Sequence, residues 1–255
     1  MENASLIGLS AQIALGRELD VVANNVANLN TNGFKAYSSL FEEYLSPVAR
    51  ANNFIGPDRR VSYVQDRATM LDLSQGPLQR TGNPLDVAID GDAFFAVQTP
   101  QGERYTRNGV FQIDATGQLV TSDGYVVLGD AGPIVFQADD HDISINAQGT
   151  VSVLSGQNTL DAARGKLRLM SFAQPQRLQS DGSNTFTAPA DVQATPASEK
   201  VRVVQGAIEK SNVRGVVEMT RLIEVSRAYT TMASLLQSES DLRKSAIQSL
   251  SEVPT

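Results

Sequence analysis

From Ser5 to Asn30 the chain contains no proline, and apolar side chains fall at Leu15, Leu19, Val22, Val26 and Leu29, at alternating gaps of four and three. That spacing gathers them on one face of an α-helix, and Leu6, Leu9 and Ile13 extend an adjoining face upstream. Asn30-Thr31-Asn32-Gly33 predicts the end of this helix, because glycine takes the left-handed conformation that closes many helices. The far end of the chain repeats the pattern. Val216 to Leu250 has neither Pro nor Gly; Leu222, Val225, Tyr229, Met232 and Leu236 recur at helical spacing, and Leu242, Ala246 and Leu250 carry a stripe onward. Glu218, Arg221, Glu224, Arg227, Glu239, Asp241, Arg243 and Lys244 fill the opposite positions as a mixed polar face without basic bias. Such stripes suit either packing within one chain or coiled-coil-like zipping against other copies.

Between these ends the period changes from helical to that of short strands. Turn signals recur every eight to twelve residues, among them Gly76-Pro77, Gly82-Asn83-Pro84, Asp90-Gly91, Asn108-Gly109, Thr116-Gly117, Asp123-Gly124, Gln148-Gly149 and Asp181-Gly182. The runs between them, Leu85–Ile89, Phe94–Val97, Tyr125–Leu128, Ile143–Ile145 and Val151–Val153, are rich in β-branched and aromatic residues. This predicts an all-β domain of sandwich or barrel-like form. The whole chain is therefore expected to be α+β, with long amphipathic terminal helices that pack together and enclose a central β domain. The expected divisions are an N-terminal helix over 1–33, an extended connector over 34–76, the β domain over 77–207 and a C-terminal helix over 208–255.

Composition narrows the function. With 255 residues, Lys+Arg 21 against Asp+Glu 28, and a net charge of −7, the chain has the wrong sign for nucleic-acid binding, which needs clustered cations to displace phosphate counterions. The absence of Cys removes thiolate chemistry and disulfides, and a single His makes zinc sites and Ser-His-Asp triads hard to build. No run reaches the roughly 20 apolar residues of a membrane span, so no membrane insertion is expected. Met1-Glu2-Asn3 places an acid where a secretory signal carries a basic region, so no cleaved signal peptide is expected.

Candidate chemistry is thin. Asp139-Asp140-His141-Asp142 crowds carboxylates about the histidine but lacks the alternating ligands, glycine and distant Glu of a calcium loop, and reads as a turn before a strand. Asp86, Asp90 and Asp92, with Tyr105, are a candidate paired-carboxylate or glycan site, although Asp90-Gly91-Asp92 is also an ordinary hairpin turn. Arg107 beside Asn108-Gly109 reads as a structural Arg at a hairpin rim. Neither the Walker pattern nor G-x-G-x-x-G occurs. No catalytic, cofactor or metal residue is assigned, and long interface-grade stripes favour assembly over catalysis.

Three blocks resemble a known family. Ala23-Asn24-Asn25-Val26-Ala27-Asn28-Leu29-Asn30-Thr31-Asn32-Gly33-Phe34-Lys35 is similar to the amino-terminal signature of flagellar rod and hook proteins. Gly82–Phe95, continued by Tyr105-Thr106-Arg107-Asn108-Gly109 and Gly117-Gln118-Leu119-Val120, resembles the start of their β domain. Gln205–Val213, with Arg227-Ala228-Tyr229 downstream, resembles their carboxy-terminal signature. The opening decapeptide and modest length look most like the proximal rod branch, with the distal rod as alternative. A β-domain protein that binds or hydrolyses cell-wall glycans is the reading from another class.

The resemblance implies a structural subunit, not an enzyme, and no cofactor. It implies export without a cleaved signal through the flagellar type III apparatus, and polymerisation into the rod of the basal body within the periplasm. The partners implied are copies of the chain and neighbouring rod proteins. It also gives the stripes an assembly role. Leu15, Leu19, Val22 and Val26 are expected to pack against Leu222, Val225, Tyr229, Met232 and Leu236 of the same or adjacent subunits. Asn24, Asn25 and Asn28 are expected to satisfy buried backbone or cross-subunit groups, since an amide both donates and accepts.

Overall fold

The computed structural model describes residues 2–46, 61–156, 161–198 and 200–251. Two helices, α1 (Glu2–Ala27) and α2 (Gly215–Ser251), flank a run of strands. These are β1 (Tyr37–Ser46), β2 (Val61–Leu71), β3 (Leu78–Arg80), β4 (Val87–Asp90), β5 (Phe94–Thr99), β6 (Gly102–Thr106), β7 (Phe111–Ile113), β8 (Leu119–Thr121), β9 (Val126–Gly129) and β10 (Gly132–Pro133). They continue as β11 (Asp140–Ile145), β12 (Thr150–Ser155), β13 (Ala162–Lys166), β14 (Leu169–Phe172), β15 (Gln179–Ser180), β16 (Thr185–Thr187), β17 (Ala194–Pro196), β18 (Arg202–Gln205) and β19 (Ala207–Glu209). The α+β class and the central all-β region are as the patterning predicts.

The chain divides into two compact units. One takes in Met1–Ala27, Tyr37–Leu71 and Arg214–Thr255; the other takes in Asn28–Ala36 and Asp72–Val213. In the second, the largest sheet runs β15-β16-β6-β5-β9-β8-β7, with β10 on β9 and β14 joining β5 to β17. β11-β12-β13 form a three-stranded sheet, and β18-β4 and β19-β3 pair as ribbons. The core draws on Val87, Phe95, Val97, Phe111, Leu119, Val127, Ile134, Val151, Leu167 and Val203. Edge-to-face rings reinforce it: Phe95 on Phe111 at 5.1 Å and Tyr105 on Phe172 at 4.8 Å between centroids.

One turn is used twice. Ile113-Asp114-Ala115-Thr116-Gly117-Gln118-Leu119 and Ile145-Asn146-Ala147-Gln148-Gly149-Thr150-Val151 share the pattern I-[D/N]-A-x-G-x-[L/V]. In each, the first polar side chain accepts from the backbone N–H groups two and four residues on: Asp114 Oδ1 from Thr116 and Gln118 at 2.8 and 2.9 Å, Asn146 Oδ1 from Gln148 and Thr150 at 3.0 and 2.9 Å. A short side chain that closes its own turn explains why Asp or Asn holds that place.

Three boundaries differ from the sequence expectation. α1 ends at Ala27 rather than near residue 30, because Asn28 turns the chain locally, accepting at its carbonyl from Thr31 N and at Oδ1 from Thr31 Oγ1. Within 34–76, read as an extended connector, β1 and β2 pair as an antiparallel ribbon. A register shift between Leu40 and Phe41 breaks the two-residue alternation, so the segment shows no strand period. Residues 47–60, the middle of that segment, lie outside the described residues. α2 begins at Gly215 rather than 208, because β19 is drawn into a ladder with β3 before the helix starts.

The three-stranded sheet predicts a pH dependence. Arg164 on β13 reaches across to Asp140 on β11, donating from Nε at 2.7 Å and from a terminal nitrogen to the other oxygen. Those hydrogen bonds hold the Asp140 carboxyl below the usual carboxylate range. Asp114, Asp181 and Asp191 are lowered likewise by hydrogen bonds. A lowered folded pKa means that the unfolded chain takes up protons first, so the stabilisation is present above the ordinary Asp range and is lost as pH falls through the lowered values. Urea midpoints measured from pH 6 to pH 2.5 are expected to fall with acidification, and Asp140→Asn to make that fall shallower. An unchanged slope in Asp140→Asn would reject the assignment.

Candidate assembly site

The helical unit is an antiparallel pair. Gly8 lies against Leu236, where an added Cβ would meet Cδ2 at 2.8 Å, and Gly16 lies against Tyr229. Glu18 accepts from Arg221 at 2.8 Å further along, and Asn25 donates to Glu218 at 3.2 Å at the end of the pair. Val22 (2% exposed) and Val225 (6% exposed) form the driest part, with Ala14. Leu15, Leu19, Val26, Leu222, Tyr229, Met232 and Leu236 are half-buried around them.

The three asparagines differ sharply. Asn25, 1% exposed, donates from Nδ2 to the Tyr37 carbonyl at 2.8 Å and accepts at Oδ1 from the Tyr37 N–H at 2.8 Å. One amide thus satisfies both polar groups of a backbone unit at the start of β1, as a strand partner would. Asn28 is half-buried and holds the Thr31 turn, whereas the Asn24 side chain is exposed.

Apolar residues also lie on faces that stay exposed among the described residues. Leu6, Leu9 and Ile13 recur at i, i+3 and i+7 and fall on the side of α1 away from Val22, with Ile13 54% exposed. Val216, Met219 and Ile223 repeat the same spacing on α2 and are each at least half exposed. Leu235, Leu242 and Ile247 add further uncovered surface. Such aligned exposure marks interaction surface more than scattered single residues would. No helix among the described residues is long and apolar enough to cross a membrane.

The β unit contains a buried ionic cluster that sequence reasoning did not assemble. Lys35, Glu209 and Arg107 have side chains exposed by no more than 2%. Glu209 Oε1 accepts from Lys35 Nζ at 2.6 Å and from the Gly76 N–H at 2.9 Å, and Oε2 accepts from Arg107 at 3.2 Å. Lys35 also donates to the Ser74 carbonyl at 2.7 Å, and Arg107 to the Gly91 carbonyl at 2.8 Å. The Arg107 guanidinium stands 5.1 Å over the Phe94 ring. Burial pulls both the Lys35 ammonium and the Arg107 guanidinium below their ordinary ranges, and Glu209 opposes that pull. Arg107, read from sequence as a rim residue, is therefore a core one.

Around this cluster, residues 32–36 lie along 209–212. Gly33 N–H donates to the Glu209 carbonyl at 2.7 Å, Ala36 N–H to Asn212 Oδ1 at 2.7 Å, and Lys210 Nζ to Asn32 Oδ1 at 3.1 Å. Gly33 is thus no helix cap: it sits six residues beyond α1, where the backbone presses on Arg107 and Asn108.

The remaining candidates do not converge. Asp86 is buried and accepts from Asn83 at 3.0 Å, while Asp90 and Asp92 are exposed. Tyr105 is buried, donates to Glu103 at 3.2 Å, and has its pKa pushed up to about 12, by burial first and by Glu103 next. His141 and Asp142 stand exposed beside the Arg164-bound Asp140, and no cluster suited to a metal occurs among the described residues.

The helix pair leaves apolar stripes exposed, and in the β unit the segments 32–36 and 209–212 are tied together. Comparison with known proteins agrees with the sequence resemblance. The family models described as "Flagella basal body rod protein", "Flagellar hook protein FlgE/F/G D1 domain" and "Flagellar basal body rod FlgEFG protein C-terminal" match residues 6–35, 88–153 and 204–249. The flagellar basal-body rod protein FlgF of Caulobacter vibrioides is 35% identical over 254 residues, which is 99% of this chain and 100% of that protein. FlgF of Mesorhizobium japonicum is 36% identical over 98% of both chains. FlgG of Buchnera aphidicola subsp. Baizongia pistaciae is 32% identical over 87% of this chain and 88% of that one. The chain belongs to the flagellar basal-body rod protein family, and the relatives named FlgF that it resembles match it over nearly its full length.

Proposed function

We propose that this chain polymerises through its terminal helices into the flagellar rod, beside copies of itself and neighbouring rod proteins, and that it performs no catalysis. In this reading it leaves the cytoplasm through the flagellar export apparatus without a cleaved signal and assembles in the periplasm. The observation that carries the proposal is the uncovered stripe Leu6-Leu9-Ile13, set opposite the face that Val22 buries and matched by Val216-Met219-Ile223 on α2. Leaving such surface in water is unfavourable by about 25 cal/mol per Å², so assembly that covers it is favoured. The stripe of Leu15, Leu19, Val22 and Val26 against Leu222, Val225, Tyr229, Met232 and Leu236 holds the pair itself. Asn25 fixes the start of β1 to that pair, and Asn24 and Asn28 stand at its margin.

Ile13→Asp and Ile223→Asp test this without disturbing the fold, because exposed positions rarely change stability by more than about 0.5 kcal/mol. Both are expected to abolish sedimentable assemblies while thermal unfolding of the β unit stays as in the parent chain. Val225→Asp, by contrast, buries a charge and is expected to separate the helices as well. Full assembly in both exposed variants would overturn the proposal.

A further inference from the structure

We propose that a groove on the β unit, between the 113–117 turn and Phe136, seats an extended segment of a partner protein that carries a β-branched residue beside a basic one. The Asp114 and Asn146 turns are two copies of one block, and a further strand covers each in the same way. The Gly117 carbonyl accepts from the Phe136 N–H at 2.7 Å, and the Gly149 carbonyl accepts from the Leu167 N–H at 2.8 Å. Phe136 therefore corresponds to Leu167, and Ala115 to Ala147. The copies differ in what fills the angle between turn and strand. At the second copy β18 fills it: the Val203 N–H donates to the Ala147 carbonyl at 3.0 Å, and Val203 Cγ2 lies 3.5 Å from where a Gly149 Cβ would stand. Gln205 completes that contact, accepting from the Ile145 N–H at 3.1 Å and donating to the Ile143 carbonyl at 2.8 Å.

At the first copy no strand among the described residues donates to the Ala115 carbonyl, and a groove of about 330 Å³ lies in the corresponding place. Ile113 lines it and is 38% exposed, whereas its counterpart Ile145 is 6% exposed. The repeat thus shows what such a seat takes: an extended segment whose N–H meets the turn carbonyl and whose branched side chain fills the angle, which is strand addition in miniature. Charge narrows the occupant. Asp114 and Asp140 both line the groove. Arg164 balances Asp140, but Asp114 accepts from the neutral donors Thr116 and Gln118 and keeps its charge uncompensated. A basic residue in the occupant answers that charge, as exposed Arg202 stands beside Val203 in β18.

The probe is a fluorescent peptide copying residues 200–206 of this chain, Lys-Val-Arg-Val-Val-Gln-Gly, titrated against the full-length protein by anisotropy. Saturable binding is expected. Ala115→Arg, at an exposed position, sets bulk and a like charge in the groove and is expected to weaken binding about tenfold or more, with thermal unfolding as in the parent chain. Asp123→Arg, exposed and outside the groove, is expected to leave binding within about twofold. Hydrogen exchange of the parent chain gives a readout free of any substitution: the peptide is expected to slow exchange at 113–117. No saturation, or equal weakening in the two variants, would overturn the proposal. So would slowing confined to 145–149, which would mean that the peptide displaces β18 from its own place. Binding that disappears as the protein self-associates would give the groove to a second copy and overturn it too. None of these outcomes touches the rod reading, because neither terminal helix takes part.

Discussion

Glu209→Gln is expected to destabilise the β unit by about 3–5 kcal/mol, the cost of removing one partner from a buried ion pair. The substitution keeps the shape of the side chain and removes the one carboxylate between two buried cations, Lys35 and Arg107. Neither cation can turn to water, because neither side chain is more than 2% exposed. For a domain of roughly 150–250 residues, each kcal/mol shifts the melting temperature by about 2–4 °C, so a fall of roughly 6–20 °C is expected in calorimetry. Lys35→Met is expected to cost less, since Glu209 then keeps Arg107 as partner. A loss below about 1 kcal/mol in Glu209→Gln, or a larger loss in Lys35→Met, would show that the cluster does not carry this energy.

The ions contribute register more than net stability. Replacing buried ionic groups with apolar ones of similar volume is often neutral, whereas a charge admits few arrangements that pair it. The alignment that sets Gly33 N–H on the Glu209 carbonyl also brings Lys35 Nζ to Glu209 Oε1. Two signature segments 174 residues apart are thereby held in one alignment.

What the sequence discloses depends on how local the cause is. The terminal helices are legible because 3.6-residue periodicity repeats over many turns, and the β region because Asp, Asn and Gly mark its turns. The Asp114 and Asn146 turns close on their own side chains, so each is written within five residues. The β1–β2 ribbon is illegible for the opposite reason: its bulge at Leu40 and Phe41 cancels the alternation that would announce it. Periodicity also picks out Leu6, Leu9 and Ile13 as readily as Leu15, Leu19 and Val22. It cannot say that the first set faces out and the second faces α2, because that is decided by the partner helix. The ionic cluster leaves the faintest trace. Lys35 is a lone charge among apolar and small residues, which hints at burial, but Glu209 is followed directly by Lys210, and its pairing with Lys35 needs the folded chain.

Gly33→Ala is expected to be as severe as the loss of Glu209, and the reason can be separated into two parts. At φ +71 Gly33 occupies the left-handed region, where an L side chain costs roughly 1–2 kcal/mol. An added Cβ would also lie 2.6 Å from the Arg107 carbonyl carbon and the Asn108 nitrogen, which are backbone atoms and cannot swing aside. Relief requires the 32–36 segment to withdraw, stretching the Gly33 bond to Glu209 and the Lys35 contact beside it. Together these put the expected loss at about 3 kcal/mol or more, in the range reserved for strained or overpacked sites. Gly82 supplies the control, because its φ of +77 is similar and an added Cβ there meets nothing within 4 Å. Gly82→Ala should therefore show the conformational cost alone, and the difference between the two variants measures the close approach. Equal losses in denaturant unfolding would mean that backbone strain is the whole effect and that the contact with Arg107 and Asn108 yields freely.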